Sequence, residues 1–167
     1  DLIKKYAPAG EKAEVEVIPE HIDFPEDRIR CRPLSFREDE FDPDLQIADA
    51  DVIVCVGNGL KSPDQLPRYR ELAKLLGGKL GCTRPLFDRE ILSYKLQIGQ
   101  SGVVVKPKIY IGFGVSGAVN HVTGISADVF IAVNNNPDAQ IFNYCDYGIV
   151  GDMDEVCDAM IAAVKAG

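Results

Sequence analysis

Residues 108–117 read KIYIGFGVSG, and this stretch decides the fold. Its apolar first part, up to Gly114, predicts a strand that is buried on both faces, as in a parallel sheet. Residues 112–117 form a literal G-x-G-x-x-G, and Ala118–Thr123 follows as a candidate helix start. Between a strand and a helix, such glycines let the backbone approach a pyrophosphate, so the segment predicts a nucleotide site.

Four further runs have the character of strands. They are DVIVCVG (Asp51–Gly57), the short KLGCT (Lys79–Thr83), DVFIAV (Asp128–Val133) and YGIVGD (Tyr147–Asp152). Helical patterns alternate with them, because residues 64–76 carry apolar side chains on one helical face and the Asp152-x-x-Glu155 spacing is typical of a helix start. This alternation predicts an α/β fold with a doubly wound, Rossmann-like parallel sheet.

Composition and charge exclude several classes of protein. The 167 residues are 46% apolar and 26% charged, as in a soluble globular protein that needs no disulfide or metal to hold its core. The net charge is −8, so nucleic acid is not expected as a partner. No apolar run approaches the roughly 18 residues of a membrane helix, so membrane insertion is not expected. The five cysteines lack zinc-site spacing, which favours reduced, buried thiols. Because the chain starts at Asp1 and not at Met, we expect a fragment of a longer protein.

Residues 1–50 differ from the rest of the chain. They hold 14 acidic and 7 basic residues, against 12 and 11 in residues 51–167. EVEVI (Glu14–Ile18) and RIRCRPLSF (Arg28–Phe36) are extended candidates, and REDEFDPD (Arg37–Asp44) has the composition of a solvated linker. We therefore predict a domain boundary that divides the chain into residues 1–47 and 48–167.

Ligands of a doubly wound sheet bind at the carboxyl ends of its strands. That rule nominates the loops Gly57–Ser62, Thr83–Asp88, Gly112–His121 and Asn134–Pro137, and the region around Asp146.

Four features of the sequence could bind a cofactor. The loop Gln97–Gly102 offers amides and a hydroxyl, and Arg84 offers a cation beside an anionic or reducible ligand. His121 can donate to a ring carbonyl, and Asn134 can contact a sugar or a base edge. Each also has an ordinary structural interpretation: a turn, a surface arginine, a structural histidine or a polar strand end. The sequence contains no Walker A motif, no metal motif and no convincing nucleophile–base pair, which indicates a site that holds a cofactor.

Six segments together resemble one known family. GNGLKSPDQ, CTRPLFD, LQIGQSG, YIGFGVSGAVNH, AVNNNPDAQIF and DYGIVGD occur in the order and spacing of the FAD-binding domain of the electron-transfer flavoprotein alpha subunit. The resemblance covers about residues 48–167. It implies that residues 48–167 are an FAD-binding domain and that residues 1–47 are the end of the family's first domain with its linker.

The resemblance implies FAD as the cofactor and assigns its contacts motif by motif. Arg84 resembles the arginine placed against the isoalloxazine, with Thr83 as its hydrogen-bonding neighbour, and His121 resembles the histidine that contacts the flavin's pyrimidine carbonyl. Ser101 keeps the hydroxyl that can reach N5. The other implied contacts are Gln97, Gly99, Gln100 and Gly102 around the ring and phosphates, Ser116, Gly117, Ala118 and Asn120 along the glycine-rich loop, and Asn134 and Asp146 near the adenosine half.

The family's activity is implied in the same way. Its members pair with a beta subunit and shuttle electrons between flavin dehydrogenases, such as acyl-CoA dehydrogenases, and an acceptor. They are electron carriers with no substrate turnover of their own, in the cytoplasm or the mitochondrial matrix. A cationic Arg84 and a donor His121 would stabilise the negative charge that reduction adds to the flavin. A variant of this interpretation is an electron-bifurcating complex.

Three departures from the family and two alternatives accompany this hypothesis. Asn120 stands where Gln is common, and the other two departures concern charge. Asn58 stands where many members have Arg, and Asn135 stands where many have Lys, so two positive charges are missing. The first alternative is an NAD-dependent oxidoreductase domain, which would need an acid where Asn134 stands. The second is an interaction module that keeps the fold and binds no flavin.

Overall fold

A five-stranded parallel sheet organises the part of the chain that the structure describes. The computed structural model describes residues 18–21, 31, 35 and 42–167, and the chain divides into two compact units, Asp1–Asp39 and Glu40–Gly167. The sheet belongs to the second unit. Its strands are β1 (Val52–Val56), β2 (Lys79–Cys82), β3 (Ile109–Phe113), β4 (Val129–Asn134) and β5 (Tyr147–Val150).

The strand order creates a crevice between β1 and β3. The order across the sheet is β2-β1-β3-β4-β5, and neighbouring strands pair in parallel throughout. From β1 the chain winds first to β2 at one edge and then back to β3 on the other side of β1. The connections that leave β1 and β3 therefore diverge, and the crevice opens at the carboxyl ends of these two strands. The predicted doubly wound α/β fold is confirmed.

The helices are of unequal length. They are α1 (Leu66–Leu75), α2 (Arg84–Asp88), α3 (Val119–Val122) and α4 (Met153–Ala166). A single turn preceding α1 is closed by a capping box between Ser62 and Gln65. Asp152 caps α4, because its Oδ1 accepts from the amides of Asp154 and Glu155. The helix predicted to start at Ala118 is only one turn long.

Aliphatic and aromatic side chains fill the space between the sheet and the two long helices. The buried face of α1 is that predicted, with Leu66, Tyr69 and Leu72 against the sheet. The ring of Tyr69 lies 5.2 Å from that of Phe113 in β3, centroid to centroid. Burial of each such side chain stabilises the fold by about 1.5–3 kcal/mol. Together these contacts hold β1 and β3, and hence the crevice between them, in a fixed position.

Several predictions for the first 50 residues fall largely outside the described residues. These are the extended segments Glu14–Ile18 and Arg28–Phe36 and the linker Arg37–Asp44. The boundary between residues 47 and 48 stays a prediction, and Ile47 itself is buried in the core of the second unit. In the described part of the chain, no helix is both long and apolar enough to cross a membrane.

We predict that Gly57→Ala destabilises the fold because the crevice has no room for a side chain. A Cβ at residue 57 would lie 2.3 Å from the Gly114 oxygen and 2.6 Å from the Val115 Cα, both of which are backbone atoms. Overpacking of this kind costs about 1–3 kcal/mol of unfolding free energy. Gly151→Ala is the matched control, because its nearest neighbour would be a Val156 methyl group at 3.6 Å. Equal chemical-denaturation midpoints for the two variants would contradict the prediction.

Candidate functional site

Two neighbouring cavities open at the carboxyl edge of the sheet, on either side of the crevice. The first, which we call the Thr83 cavity, has a volume of about 250 Å³. The second, the Asn134 cavity, has a volume of about 340 Å³. Asn58, from the loop after β1, and Ser116, from the loop after β3, line both. An elongated ligand can therefore occupy both cavities and cross between them at these two residues.

Most of the predicted site residues meet at the Thr83 cavity. The loops after β2 and β3 and the loop 97–102 surround it. The predicted residues that line it are Thr83, Arg84, Gln97, Gly99, Ser101, Ser116, Ala118, Asn120 and His121. The sequence predicted these loops separately. The parallel sheet brings the loops after β2 and β3 to one edge, and a bridge between Cys82 and Gln97 holds the loop 97–102 beside them.

The Thr83 hydroxyl is a polar group without a partner at the wall of this cavity. Thr83 is 7% exposed, and its Oγ1 is the one buried side-chain oxygen or nitrogen in the described part of the chain that makes no hydrogen bond. Leaving a buried hydroxyl unpaired costs about 1–3 kcal/mol. Because Thr83 lines the cavity, a ligand with a polar edge can supply the missing partner.

The loop 97–102 presents a fixed hydroxyl at the same cavity. Gln97 is buried, and its Nε2 donates to Ser101 Oγ over 3.2 Å. The Tyr94 hydroxyl donates to the backbone oxygen of Ser101 over 2.6 Å. These bonds hold Ser101 at the rim, where its side chain is exposed. Gln100 and Gly102 belong to this loop but do not line either cavity.

The glycine-rich loop after β3 contains backbone amides that have no acceptor in the described part of the chain. In the described part of the chain, the N–H groups of Ser116, Gly117 and Ala118 donate to no other group. Gly117 has φ +87°, and a Cβ there would lie 2.2 Å from the Ile141 nitrogen, so only glycine fits. Successive free amides of this kind form a concave site for an anion such as a phosphate. Of these three residues, Ser116 lines both cavities, Ala118 lines the Thr83 cavity, and Gly117 lines neither.

One basic side chain lines each cavity. Arg84 opens α2 at the Thr83 cavity, with its side chain 69% exposed and its Nε 3.5 Å from Asp88 Oδ2. Lys61 lines the Asn134 cavity, together with Asp152 and Asp154. Over the two cavities together, the acids Asp88, Asp152 and Asp154 outnumber the two basic side chains, so the lining does not attract an anion by net charge. The free amides are therefore the main groups available to a phosphate.

His121 is buried and bonded at both ring nitrogens. Its Nδ1 lies 2.9 Å from the Ile98 oxygen, and its Nε2 lies 2.8 Å from the Tyr110 hydroxyl. Burial lowers the pKa of His121, although the bond to Ile98 opposes this. The imidazole is therefore neutral at the wall of the Thr83 cavity. Tyr110 was not among the residues predicted from sequence.

Asn134 and Asp146, the two residues predicted near an adenosine, lie at opposite ends of the parallel strands. Asn134 ends β4 and lines the Asn134 cavity, where its Nδ2 donates to the Val115 oxygen and its Oδ1 accepts from the Asn136 amide. Asp146 precedes β5, so it lies at the amino end of that strand. Its carboxylate accepts from the Phe130 amide over 2.8 Å. The structure therefore brings Asn134 to the site and leaves Asp146 away from it.

Two groups of lining residues were not named as site residues from sequence. Gln65 and Asp154 line the Asn134 cavity and bond to each other, and Asp152 caps α4 beside them. The sequence did contain a signal, since YGIVGD predicted a strand whose carboxyl end is Asp152 and not Asp146. Asn58, the family departure noted above, lies at the junction of the two cavities.

Comparison with known proteins identifies what this site belongs to. Residues 46–126 match the family model described as "Electron transfer flavoprotein FAD-binding domain". The chain is 37% identical over 164 residues to electron transfer flavoprotein subunit alpha of Thermoanaerobacterium thermosaccharolyticum, covering 98% of this chain and 49% of that protein. It is 42% identical over 142 residues to Protein FixB of Bradyrhizobium diazoefficiens, covering 84% of this chain and 38% of that protein.

A plant relative gives the same result. The chain is 44% identical over 120 residues to the mitochondrial electron transfer flavoprotein subunit alpha of Oryza sativa subsp. indica, covering 71% of this chain and 33% of that protein. The chain thus spans between one third and one half of the length of these curated relatives. With its parallel sheet and cavities at the carboxyl edge, the chain belongs to the electron transfer flavoprotein alpha subunit family, and it carries that family's FAD-binding domain.

Proposed function

We propose that this chain is part of an electron transfer flavoprotein alpha subunit that holds FAD across the two cavities and carries electrons through it. The observation that carries this proposal is the unpartnered Thr83 hydroxyl, which lines a cavity together with eight other residues predicted from the flavin-binding motifs. The isoalloxazine would occupy the Thr83 cavity and the adenosine half the Asn134 cavity. The pyrophosphate would cross at Ser116.

The residues present fit such a cofactor. A flavin's pyrimidine edge carries carbonyl and N–H groups that can pair with a threonine hydroxyl, and a pyrophosphate suits free amides such as those of residues 116–118. Asn58 supplies a neutral amide at the junction in place of a cation. This arrangement supports FAD binding in which backbone dipoles, more than side-chain charges, meet the phosphates.

The residues have distinct roles in this proposal. Bound FAD supplies the redox chemistry by accepting and releasing electrons. Arg84 places a permanent positive charge at the Thr83 cavity, which stabilises negative charge added to a ligand there. Gln97 and Tyr94 hold Ser101 in position at the rim. The buried walls exclude water from one side of the ring.

The partners and the location are part of the same proposal. We propose a beta subunit and a flavin dehydrogenase as partners, with residues 1–47 as the remnant of a first domain and its linker. Relatives that are named alpha subunits, one of them mitochondrial, support a cytoplasmic or mitochondrial matrix setting. The NAD-binding alternative is less favoured, because β4 ends at Asn134 and not at an acid. The side-chain amide of Asn134 also already donates to the Val115 oxygen and accepts from the Asn136 amide.

We predict that Thr83→Val has opposite effects on stability and on FAD binding. It removes a buried unpaired hydroxyl, so the chain without ligand should be equally stable or more stable by up to about 1 kcal/mol. FAD should bind about 5–30-fold more weakly, because it loses one hydrogen-bonding partner. The measurements are thermal denaturation without ligand and titration with FAD followed by flavin fluorescence.

A matched threonine provides the control for that experiment. Thr123→Val changes the same groups at an exposed position after α3 that lines neither cavity, so FAD affinity should stay at that of the parent chain. Thr83→Val binding FAD as tightly as the parent would contradict the proposed position of the ring. Absence of FAD binding by the parent chain, with or without a beta subunit, together with stabilisation by NAD, would favour the NAD alternative.

We predict that Arg84→Gln lowers the midpoint reduction potential of bound FAD. A single exposed charge near the ring contributes an interaction of about 1 kcal/mol, which corresponds to a shift on the order of 50 mV for one electron. The control is Arg70→Gln, on an exposed position of α1 outside both cavities. Potentiometric titration of the two loaded variants checks this, and equal potentials would remove Arg84 from its proposed role.

A further inference from the structure

Gln65 connects two walls of the Asn134 cavity. Its Oε1 accepts from the amides of Lys61 and Ser62, each over 2.9 Å, in the loop after β1. Its Nε2 donates to Oδ2 of Asp154 in the first turn of α4. Backbone amides only donate, and a carboxylate oxygen accepts, so these partners fix which way the side-chain amide points. The side chain therefore joins the loop after β1 to the start of α4, both of which line the cavity.

The Asp154 carboxylate is held at both of its oxygens. The Tyr69 hydroxyl donates to Oδ1 over 2.5 Å, and Tyr69 is itself 0% exposed in α1. The Nε of Arg68, also in α1, lies 3.8 Å from the same oxygen. Of these partners of Asp154, Gln65 is bonded at its other end to the loop after β1. It thus transmits the position of α4 to that loop.

The same two walls are in contact at Gly59 and Met153. A Cβ on Gly59 would lie 3.1 Å from the Met153 sulfur, and both residues line the Asn134 cavity. Close packing prevents the walls from moving nearer to each other, but a single pair of apolar atoms attracts only weakly. A hydrogen bond to a carboxylate is a stronger, directional link. The bonds of Gln65 therefore oppose separation of the walls.

We propose that Gln65 is a positioning residue for the adenosine half of the cofactor: it ties the loop after β1 to α4 and so sets the separation of the two walls that receive this half. This inference rests on the proposed function, in which the Asn134 cavity takes the adenosine half of FAD. A cavity whose walls are already held in place loses less freedom when a ligand binds.

The effect of Gln65 is confined to one of the two cavities. Gln65 and Asp154 line the Asn134 cavity and not the Thr83 cavity. Loss of the link should therefore weaken the binding of adenosine diphosphate, which has no flavin ring, by the same factor as the binding of FAD. Equal losses for these two ligands distinguish a role at the adenosine half from a role at the ring.

The first test breaks the link at one end. In Gln65→Glu the new carboxylate can still accept from the amides of Lys61 and Ser62, but it has no proton for Asp154 and repels it. We expect adenosine diphosphate and FAD each to bind about 10-fold more weakly, in calorimetric titrations of the full chain at a temperature where the variant is folded. Gln46→Glu is the matched control, because it adds the same charge at an exposed position that lines neither cavity.

The second test restores the link with donor and acceptor exchanged. In the double variant Gln65→Glu with Asp154→Asn, the new amide can donate to the new carboxylate, and its oxygen can still accept from the Tyr69 hydroxyl. We expect the double variant to recover most of the lost affinity for both ligands. Gln65→Met removes the link without adding charge, so it should bind both ligands more weakly even though it does not repel their phosphates.

The outcomes separate this inference from the proposed function. If the parent binds FAD but Gln65→Met binds both ligands equally tightly, or if the double variant is no better than Gln65→Glu, the role of Gln65 is overturned and FAD binding stands. Weakened FAD binding with unchanged adenosine diphosphate binding overturns it as well. If the parent binds adenosine diphosphate with the expected dependence on Gln65 but does not bind FAD, the proposed function fails and the positioning role stands. If the parent binds neither ligand, both are overturned.

Discussion

The structure depends on the close approach of two loops at the crevice between β1 and β3. The amide of Gly57 donates to the Phe113 oxygen over 2.8 Å, and that of Gly59 donates to the Gly114 oxygen over 3.0 Å. No side chain fits between these backbones. Since the two loops are bonded to each other, they hold Asn58 and Ser116 at the junction of the cavities. The site is therefore a consequence of backbone packing and does not require a network of charged side chains.

The fold could be predicted from the sequence because its signals are local. Apolar runs ending in glycine mark β1 and β3. Each of these strands begins and ends one residue inside the predicted run. The contents of the site were also largely predictable, because in a parallel sheet every loop after a strand reaches the same edge. This rule brings Thr83 and His121 into one cavity although they are distant in sequence. Gln97 joins them because its loop pairs with the end of β2, where the Ile98 amide donates to the Cys82 oxygen over 2.8 Å.

The parts that could not be predicted depend on register and on long-range pairing. The region around Asp146 is nominated as a carboxyl strand end, and the family resemblance implies an adenosine contact there. Asp146 instead precedes β5, and the carboxyl end of that strand leads to Asp152. Similarly, nothing in the spacing of Tyr110 and His121 shows that one side chain bonds the other, because the bond depends on how the loop after β3 folds back over the sheet. Such contacts are properties of the packed core.

The distribution of charge gives the site a consistent physical character. The family resemblance implies Arg and Lys in many members where this chain has Asn58 and Asn135, and both asparagines line the cavities here. With His121 neutral and Lys61 in the other cavity, Arg84 is the positive charge that lines the cavity proposed for the flavin ring. A single exposed cation is screened by solvent and by its Asp88 partner. The potential of a flavin bound here would then depend on the screened charge of Arg84 together with the neutral hydroxyls of Thr83 and Ser101 at the same cavity.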